Sequence, residues 1–266
     1  MIITKTPEEI EKMAAAGRIL ARCHQLMKSK ARPGVTTGEL DAAAEKFIRS
    51  QDAWPVFKGY RGFPGSICAS PNSMVVHGIP GSYRLERGDI LSVDIGVELN
   101  GWVADAAVTL PIGPVTPVAR RLLASTKAAL FDAVEQCRSG NRLGDVSYAV
   151  QKRVEGDGFS IIRSLVGHGI GRDMHEDPQI PNFGDPGTGP ELTEGMVLAV
   201  EPMVNAGDHQ VRMGDDNWAV YSRDGSLTAH FEHTVAITAE GPRILTPWHL
   251  DEPEAAGKRA KAASGA

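Results

Sequence analysis

The 266-residue sequence predicts an α/β (α+β) fold in which two helices followed by strands occur twice. Two observations predict this class: helix-capping patterns stand in pairs, and short β-branched runs cut by Gly, Pro and Asn follow each pair. A third is that Gly34-x-x-x-Gly38 is echoed by Gly140-x-x-x-Gly144, 106 residues later. Chance is the alternative, since short Gly-centred matches are common, but the repeat favours an internal duplication whose halves surround one central site.

Local patterns predict four helices. Thr6-Pro7-Glu8-Glu9 is a capping box with proline at the first helical position, and Thr36-Thr37-Gly38-Glu39 caps a second helix. Behind these caps, apolar residues recur at three- and four-residue steps, as on one face of a helix. The helices are expected over residues 7 to about 30, about 37 to 48, 117 to 140 and 144 to 155, with strands over about 56–112 and again up to 245.

Composition and charge exclude several classes of protein. The 28 Lys and Arg residues against 33 Asp and Glu residues give a net charge of -5, so a nucleic-acid partner bound mainly by counterion release is not expected. Three widely spaced cysteines exclude a disulfide scaffold and a zinc ribbon. Because no apolar run reaches ~18 residues and the N-terminus soon turns acidic, neither a membrane span nor a signal peptide is expected, which predicts a cytoplasmic protein.

The folded part of the chain is expected to be one domain over residues 1–250, with pseudo-repeats at about 1–112 and 113–250. The two predicted sheets would pack around a shared site within that domain. Residues 251–266, DEPEAAGKRAKAASGA, contain no apolar side chain larger than alanine, so this segment is predicted to be a disordered tail.

The strongest local signal is a hairpin at Asn100-Gly101, which stands between two apolar runs. This dipeptide favours a two-residue type I′ turn, which places Gly96 opposite Asp105. Asp94 and Asp105 then project from the same face as diagonal neighbours, with backbones ~7–8 Å apart. Two carboxylates on an apolar face repel each other, and a cation bound between them would relieve that repulsion. The alternative is that one or both carboxylates face solvent on an edge strand.

Residues further along the chain supply similar groups. His168 lies between glycines, Glu201 ends an apolar run, and Glu232 precedes a β-branched run. Taken singly, each pattern is more typical of a loop or a strand end than of a ligand. Together with Asp94 and Asp105 they form an oxygen-rich set that suits two divalent ions ~3.5–4 Å apart, which activate a water molecule. The patterns leave open whether these five residues converge.

Two other histidines have settings that suit catalysis. His77, in Val75–Pro80, and His175, in Asp173–Pro178, could donate a hydrogen bond to a developing oxyanion or to a leaving amine. A structural histidine bonded to backbone is the alternative for each. His24 lies on the apolar stripe of the first helix and is interpreted as structural. The remaining histidines offer no stronger case: His209, His230, His233 and His249.

These residues, in this order and context, resemble the methionine aminopeptidases of type I, in the short bacterial form of the M24 pita-bread metallopeptidases. The similarity runs from the first helix to about residue 246 and covers every candidate ligand. It is carried by GYRGFPGSICASPNSMVVHGIP (59–80), LSVDIG (91–96) with the Asp105 strand, GHGIGRDMHEDP (167–178), LAVEPMVNAG (198–207) and FEHTVAIT (231–238). The resemblance implies the duplicated pita-bread (creatinase/aminopeptidase) fold, with two pseudo-symmetric halves around a central dinuclear metal site.

The resemblance also implies a reaction and its metal centre. The enzyme would be a methionyl aminopeptidase, a hydrolase that removes the initiator methionine from nascent proteins, preferably before a small second residue. A metal-activated water would attack the first peptide bond. Asp94, Asp105, His168, Glu201 and Glu232 would hold two divalent ions, with Asp105 and Glu232 shared between them. Co, Mn, Fe, Zn and Ni stay open as the native metal, because affinity order alone does not decide selectivity.

Catalytic and substrate-binding roles follow from the same resemblance. Glu201 would act as general base as well as ligand, His175 would stabilise the carbonyl oxygen as it becomes anionic, and His77 would contact the substrate near the scissile amide. The methionine side chain would enter a pocket formed by Tyr60, Phe63, Cys68, Met174 and Trp218. Apolar and sulfur-bearing groups suit a flexible thioether side chain.

Some positions depart from the family pattern although the ligands are intact. Phe57 stands where many bacterial relatives have cysteine, and Arg61 where histidine is frequent. Threonine or histidine in relatives is replaced here by Gly96, Val103, Ala106 and Ala199. Because outer partners orient the ligands, these changes are expected to affect rate and metal preference rather than reaction type.

Three functions follow from these expectations. The leading one is the methionine aminopeptidase, whose partners would be the N-terminal methionine of nascent chains and, transiently, the ribosome, with no membrane partner and a monomeric state. The second is an Xaa-Pro peptidase on the same scaffold, although such relatives generally carry an additional N-terminal domain. The third is a pita-bread domain that binds peptides without catalysis, which the intact ligand set disfavours.

Overall fold

The computed structural model describes residues 1–250, so the tail predicted over 251–266 lies outside the described residues. Each of the predicted helices is present: α1, Pro7–Lys30; α2, Thr37–Arg49; α3, Pro117–Val134; and α4, Leu143–Gly156. The predicted capping boxes start α1 and α2, where the Thr6 and Thr36 side chains each accept a hydrogen bond from the backbone N–H three residues on. No helix in this part of the chain is long and apolar enough to cross a membrane.

The strands are short apart from two that form the predicted hairpin. They are β1, Trp54–Pro55; β2, Cys68–Pro71; β3, Met74–Val76; β4, Ile90–Leu99; β5, Trp102–Pro111; β6, Ser160–Ile161; β7, Val166–Gly169; β8, Glu176–Pro181; β9, Val197–Val200; β10, Met203–Asn205; β11, Val211–Met213; β12, Val220–Ser222; β13, Thr228–His230; β14, His233–Thr238; and β15, Gly241–Ile244. A 3₁₀ turn covers Tyr60–Gly62.

Two antiparallel sheets position the site. In the four-stranded sheet, β4 pairs with β5 along one edge and with β1 and β2 along the other. The second sheet has five strands in the order β15-β14-β9-β7-β8. Two three-stranded sheets, β13-β10-β6 and β11-β12-β3, complete the fold.

One apolar core joins the two halves of the chain. Helix α1 packs against β4 and β5, whereas α3 packs against α4 and contacts β9, β10 and β13. A single cluster of buried residues includes Leu20 and Ile95 from the first half and Leu122 and Val235 from the second. Full burial of such a side chain contributes about 1.5–3 kcal/mol, so this shared cluster holds the halves against each other.

Backbone hydrogen bonds repeat between the halves with the spacing that the glycines indicated. Gly34 and Gly140 both have a φ of +91°, which glycine adopts at little cost. The N–H of Gly34 donates to the Leu85 carbonyl at 2.8 Å, and the N–H of Gly140 donates to the Leu192 carbonyl at 3.0 Å. A second equivalent pair of bonds, each 2.9 Å long, joins Gly38 to Gly81 and Gly144 to Thr188. These repeated bonds support the predicted duplication.

The third helix is shorter than predicted. It ends at Val134 rather than continuing to Gly140, because the following residues form tighter bonds to the carbonyl three residues back. The N–H groups of Gln136 and Cys137 donate to Ala133 and Val134 at 2.9 and 3.0 Å. Cys137 is buried but lies beyond the helix. Helix α4 extends one residue further at each end than the predicted 144–155.

Candidate active site

The hairpin of β4 and β5 carries Asp94 and Asp105 on one face. Asn100 and Gly101 have φ angles of +53° and +77°, as a type I′ turn requires, and Gly96 pairs with Asp105. Asp105 is 3% exposed, and the Oδ1 atoms of both carboxyl groups are buried. The predicted register is therefore confirmed, and the alternative in which these carboxylates face solvent on an edge strand is wrong.

The five-stranded sheet supplies three more side chains of the kind that bind metals. His168 lies on β7, Glu201 directly follows β9, and Glu232 directly precedes β14. Strand β9 lies between β7 and β14, and its last residue pairs with the first residue of β14. This register brings Glu201 and Glu232 next to each other at one end of the sheet, where His168 on the other neighbouring strand also lies.

Side chains of the two sheets meet. The Nε2 atom of His168 lies 3.6 Å from Oε1 of Glu201 and 3.9 Å from Oδ2 of Asp105. One ligand-type atom from each of Asp105, His168 and Glu232 lies within 4.8 Å of the others, and all three residues are buried. The carboxyl groups of Asp94 and Asp105 interact electrostatically, and both line the same cavity. The five residues thus form one cluster at the junction of the sheets.

A cavity of about 180 Å³ opens onto this cluster. Every residue to which the sequence assigns a site role lines it: Tyr60, Phe63, Cys68, His77, Asp94, Asp105, His168, Met174, His175, Glu201, Trp218 and Glu232. Phe57 and Arg61 complete the lining. Candidate ligands, candidate catalytic histidines and candidate pocket residues therefore share one space.

Part of the cavity wall is apolar and contains sulfur. The rings of Phe63 and Trp218 meet edge to face, with centroids 5.1 Å apart. Cys68 pairs with Asp94 across β2 and β4, and both Cys68 and Met174 are 5% exposed. Such a polarizable surface accepts an unbranched apolar or thioether side chain.

Three imidazoles in the cavity are neutral near pH 7. Burial lowers the pKa of His168 to about 4. His77 and His175 are more exposed, and partial desolvation in the cavity, together with neighbouring imidazoles for His77 and the Arg61 charge for His175, lowers the pKa of each. The Tyr60 hydroxyl lies 2.8 Å from Nδ1 of His175, and the His168 and His175 ring centroids are 4.3 Å apart. A neutral imidazole offers one nitrogen as a ligand or acceptor and one N–H as a donor.

Burial raises the pKa values of the clustered carboxyl groups. The pKa of Asp94 rises to about 7 and that of Glu201 to about 8, while burial and repulsion from neighbouring carboxylates raise those of Asp105 and Glu232 well above their usual values. Oδ1 of Asp94, Oδ1 of Asp105 and Oε1 of Glu232 are buried without a hydrogen-bond partner. Mutually repelling, unpartnered oxygens beside an imidazole are a donor set that fits a divalent cation.

His230 belongs to the site but is not among the residues predicted from the sequence. It ends β13, is 2% exposed, and places Nε2 3.4 Å from Oε2 of Glu201. Neither ring nitrogen forms a hydrogen bond within residues 1–250. The spacing His230-x-Glu232 is the available signal, because side chains two apart on an extended segment share a face.

Gly96 and Phe57, two departures from the family pattern, fit each other sterically. A Cβ atom at Gly96 would lie 2.4 Å from Cγ1 of Val56 and 2.8 Å from Cε1 of Phe57. The Phe57 ring, which also lines the cavity, therefore fills the room that a side chain at position 96 would need. Gly96 therefore lacks the hydroxyl group that threonine would supply, and the Phe57 ring packs against it in the cavity wall.

The fold and the site together define a metal-dependent hydrolase, because buried carboxylates and an imidazole meet between two sheets of a duplicated α/β fold. Residues 11–239 match Metallopeptidase family M24. A methionine aminopeptidase of Clostridium perfringens is 52% identical over 246 residues, which cover 92% of this chain and 99% of the relative. Methionine aminopeptidase 1 of Bacillus subtilis has the same identity and coverage. The crystal structure of methionine aminopeptidase from Thermotoga maritima matches with a TM-score of 0.91 at 44% identity, covering 92% of this chain and 99% of that one.

The chain therefore belongs to metallopeptidase family M24, whose members use divalent metal. Within that family it belongs to the methionine aminopeptidases, so the resemblance read from the sequence is confirmed. An Xaa-Pro dipeptidase from Bacillus anthracis matches with a TM-score of 0.73 at 22% identity, and this chain spans 62% of its length. That likeness shows the shared pita-bread fold alone.

Proposed function

We propose that this protein hydrolyses the first peptide bond of new polypeptides and releases their N-terminal methionine, preferably before a small second residue. The observation that carries the proposal is one cavity in which the carboxylate–imidazole cluster lies beside an apolar, sulfur-containing wall. Relatives at 52% identity named methionine aminopeptidase support it.

In the proposed metal centre, two divalent ions would be held by Asp94, Asp105, His168, Glu201 and Glu232, and Asp105 and Glu232 would serve both ions. Four carboxyl groups offer more oxygen ligands than a single small ion needs, and three of their buried oxygens have no protein partner. When bound, such ions supply Lewis acidity, which lowers the pKa of water and polarises the scissile carbonyl. Carboxylate oxygens with one imidazole suit Mn, Fe, Co, Ni or Zn.

Glu201 is proposed as the general base. His168 lies 3.6 Å from its Oε1 and His230 lies 3.4 Å from its Oε2, so both oxygens have a defined neighbour. Burial raises the pKa of Glu201 to about 8. That value belongs to the metal-free protein. In the proposed reaction the Glu201 carboxylate would take a proton from water and return it to the leaving amine.

His175 and His77 are proposed to contact the substrate. The Tyr60 hydroxyl lies 2.8 Å from Nδ1 of His175. In the tautomer whose Nδ1 accepts this hydrogen bond, the Nε2–H of His175 would donate to the carbonyl oxygen as it becomes anionic. His77 has a φ of +60°, which is uncommon for a residue other than glycine and occurs preferentially at functional sites. His77 also lines the cavity, where its imidazole would contact the substrate near the scissile amide.

The proposal extends to partner, location and domain organisation. The substrate is the N-terminal methionine of a nascent chain, the ribosome is a transient partner, and the enzyme acts as a monomer in the cytoplasm. Residues 1–250 form a single domain with pseudo-repeats at about 1–112 and 113–250. The shared core cluster and the repeated backbone hydrogen bonds support that division.

Hydrolysis of three peptides tests the proposal: Met-Ala-Ser, Met-Leu-Ser and Ala-Pro-Ser. Metal-depleted protein is supplied with Mn(II), Co(II) or Fe(II), and released amino acids are quantified. We expect metal-dependent release of methionine from Met-Ala-Ser, at a rate at least ~100-fold above that from Met-Leu-Ser, because leucine overfills the second subsite. Cleavage of Ala-Pro-Ser alone would place the chain with Xaa-Pro peptidases. Binding of Met-Ala-Ser without cleavage under any metal would favour a peptide-binding domain.

A further inference from the structure

Lys5, on the segment before α1, forms a buried ion pair with Glu176 at the start of β8. The two side chains are 3% and 7% exposed, and Nζ of Lys5 lies 2.5 Å from Oε2 of Glu176. The other ion pairs made by lysine and arginine within residues 1–250 all have side chains at least 22% exposed. Burying two charges costs free energy unless each charge is paired and hydrogen-bonded. The other contacts of the two residues therefore indicate the function of the pair.

Lys5 is itself held in place. Its ammonium also donates to the carbonyl of Ile3 at 2.9 Å, and its backbone N–H donates to the carbonyl of Gly195 at 2.7 Å. The free amino group of Met1 forms a second ion pair, with Asp177, next to Glu176. Two of the first five residues, Met1 and Lys5, therefore contact the first two residues of β8, Asp177 and Glu176.

Glu176 uses its other oxygen to close a loop. Oε1 accepts hydrogen bonds from the backbone N–H groups of Arg172 at 3.0 Å and Asp173 at 3.4 Å. A Cβ atom at Gly171 would lie 2.5 Å from both Oε1 of Glu176 and Cε of Lys5. The loop of residues 171–176 is thus folded tightly around the ion pair.

That loop carries two cavity residues, Met174 and His175. Their positions depend on the turn that Glu176 closes, because they lie between its anchor at Asp173 and Glu176 itself. From this arrangement we propose that Lys5 is a positioning residue for the reaction: through Glu176 it holds the loop that presents Met174 and His175 to the substrate. This role rests on the proposed function of the cavity. It assigns a task to the N-terminal segment, which lines none of the cavity.

The test uses Lys5→Met, which keeps the length of the side chain and removes its charge, in the metal-loaded protein. A small displacement of a substrate-contacting group costs about 100-fold in rate, so we expect kcat/KM for Met-Ala-Ser to fall by about that factor. Metal content per chain should stay unchanged. Amide hydrogen exchange in peptides covering residues 171–177 should become faster, whereas exchange in α3 and α4 should not change.

Two further variants make the test specific. Lys5→Met/Glu176→Gln buries no unpaired charge and keeps an oxygen for the Arg172 and Asp173 N–H groups, so kcat/KM should recover to about a tenth of the unmodified value. Arg153→Met removes an exposed ion pair with Asp132 between α4 and α3 and should leave kinetics and loop exchange unchanged. If Lys5→Met does not fold, the double variant decides. Loop exchange and kcat/KM equal to those of the unmodified protein, in either Lys5 variant, would overturn the proposal.

The readouts separate this proposal from the proposed function. If the unmodified protein releases methionine from no peptide, the proposed function fails, and hydrogen exchange still reports whether Lys5 orders the loop. If the unmodified protein is active and the Lys5 variants match it in both exchange and kinetics, only the positioning role fails.

Discussion

The hydroxyl of Thr234 forms hydrogen bonds with both backbone groups of Asp105. It accepts from the Asp105 N–H at 3.0 Å and donates to the Asp105 carbonyl at 2.7 Å, although the residues are 129 positions apart. Thr234 lies on β14 of the five-stranded sheet and Asp105 lies on β5 of the four-stranded sheet. This buried contact joins the two sheets two residues away from Glu232. It therefore helps to set the distance between the candidate ligands Asp105 and Glu232.

Thr234→Val should weaken both the fold and the metal centre. Losing the hydroxyl leaves a buried N–H and a buried carbonyl unsatisfied, which costs about 1–3 kcal/mol of unfolding free energy. Metal affinity should fall by about 10- to 100-fold, because an outer partner of a ligand is lost. Urea unfolding of metal-free protein and Mn(II) titration measure the two effects. Thr234→Ser, which keeps the hydroxyl, is the matched control; an equal loss in that variant would contradict the hydrogen-bond explanation.

Gly96→Thr should destabilise the protein even though threonine favours strands. Glycine within a strand costs roughly 0.5–1 kcal/mol, but forcing a side chain against Val56 and Phe57 costs roughly 1–3 kcal/mol, so overpacking outweighs the propensity. Adding Phe57→Cys to Gly96→Thr should restore part of the stability, because it removes the clash with the Phe57 ring while the closer contact with Val56 remains. Denaturant midpoints of the two variants test this. A single Gly96→Thr variant as stable as the unmodified protein would show that the ring moves aside freely.

Metal binding should release protons at pH 7. In the metal-free protein burial raises the pKa of Asp94 to about 7 and that of Glu201 to about 8, so at pH 7 Asp94 is about half protonated and Glu201 is mostly protonated. Asp105 and Glu232, whose pKa values are also raised, hold protons as well, and a bound cation displaces them. His168, with a pKa of about 4, is already neutral and contributes none. Apparent affinity for Mn(II) should therefore rise from pH 6 to pH 8. Calorimetric titration in two buffers of different ionisation enthalpy measures the released protons, and identical heats in both buffers would contradict this account.

His230 should support catalysis through Glu201. His230→Phe removes the nitrogen that lies 3.4 Å from Oε2 of Glu201, so we expect kcat to fall about 10- to 100-fold with KM nearly unchanged. His230→Gln retains a side-chain N–H donor and should stay within a few-fold of the unmodified kcat. Steady-state kinetics on Met-Ala-Ser distinguish these outcomes. A loss confined to KM would instead indicate direct contact between His230 and the substrate.

Local features of the fold follow directly from the sequence. The capping boxes at Thr6 and Thr36 and the Asn100-Gly101 turn depend on neighbours within a few residues, and the structure confirms all three. The hairpin register alone brings Asp94 and Asp105 to one face. The end of α3 at Val134 is less predictable. The periodic apolar pattern continues to Cys137, but the backbone N–H groups of Gln136 and Cys137 donate to the carbonyl three residues back instead of four.

The rest of the site depends on contacts between distant parts of the chain. Residue patterns alone do not indicate that His168, Glu201 and Glu232 meet Asp105, since β9 must first pair with β7 and β14; the family motifs supplied that expectation. His230 and Lys5 carry no motif of their own. Their importance arises from contacts with Glu201 and with Glu176, 171 positions away from Lys5, that only the folded chain creates.

The most direct test of the central claim compares methionine release by the unmodified protein and by Asp105→Ala, with metal content per chain measured on the same samples. Asp105 is the proposed shared ligand, and removing its buried carboxyl group relieves repulsion with Asp94 and Glu201. The account predicts a folded variant of unchanged or higher stability in the metal-free state that retains less metal and releases no methionine from Met-Ala-Ser. Near-normal release by Asp105→Ala would contradict a metal centre built on these five residues.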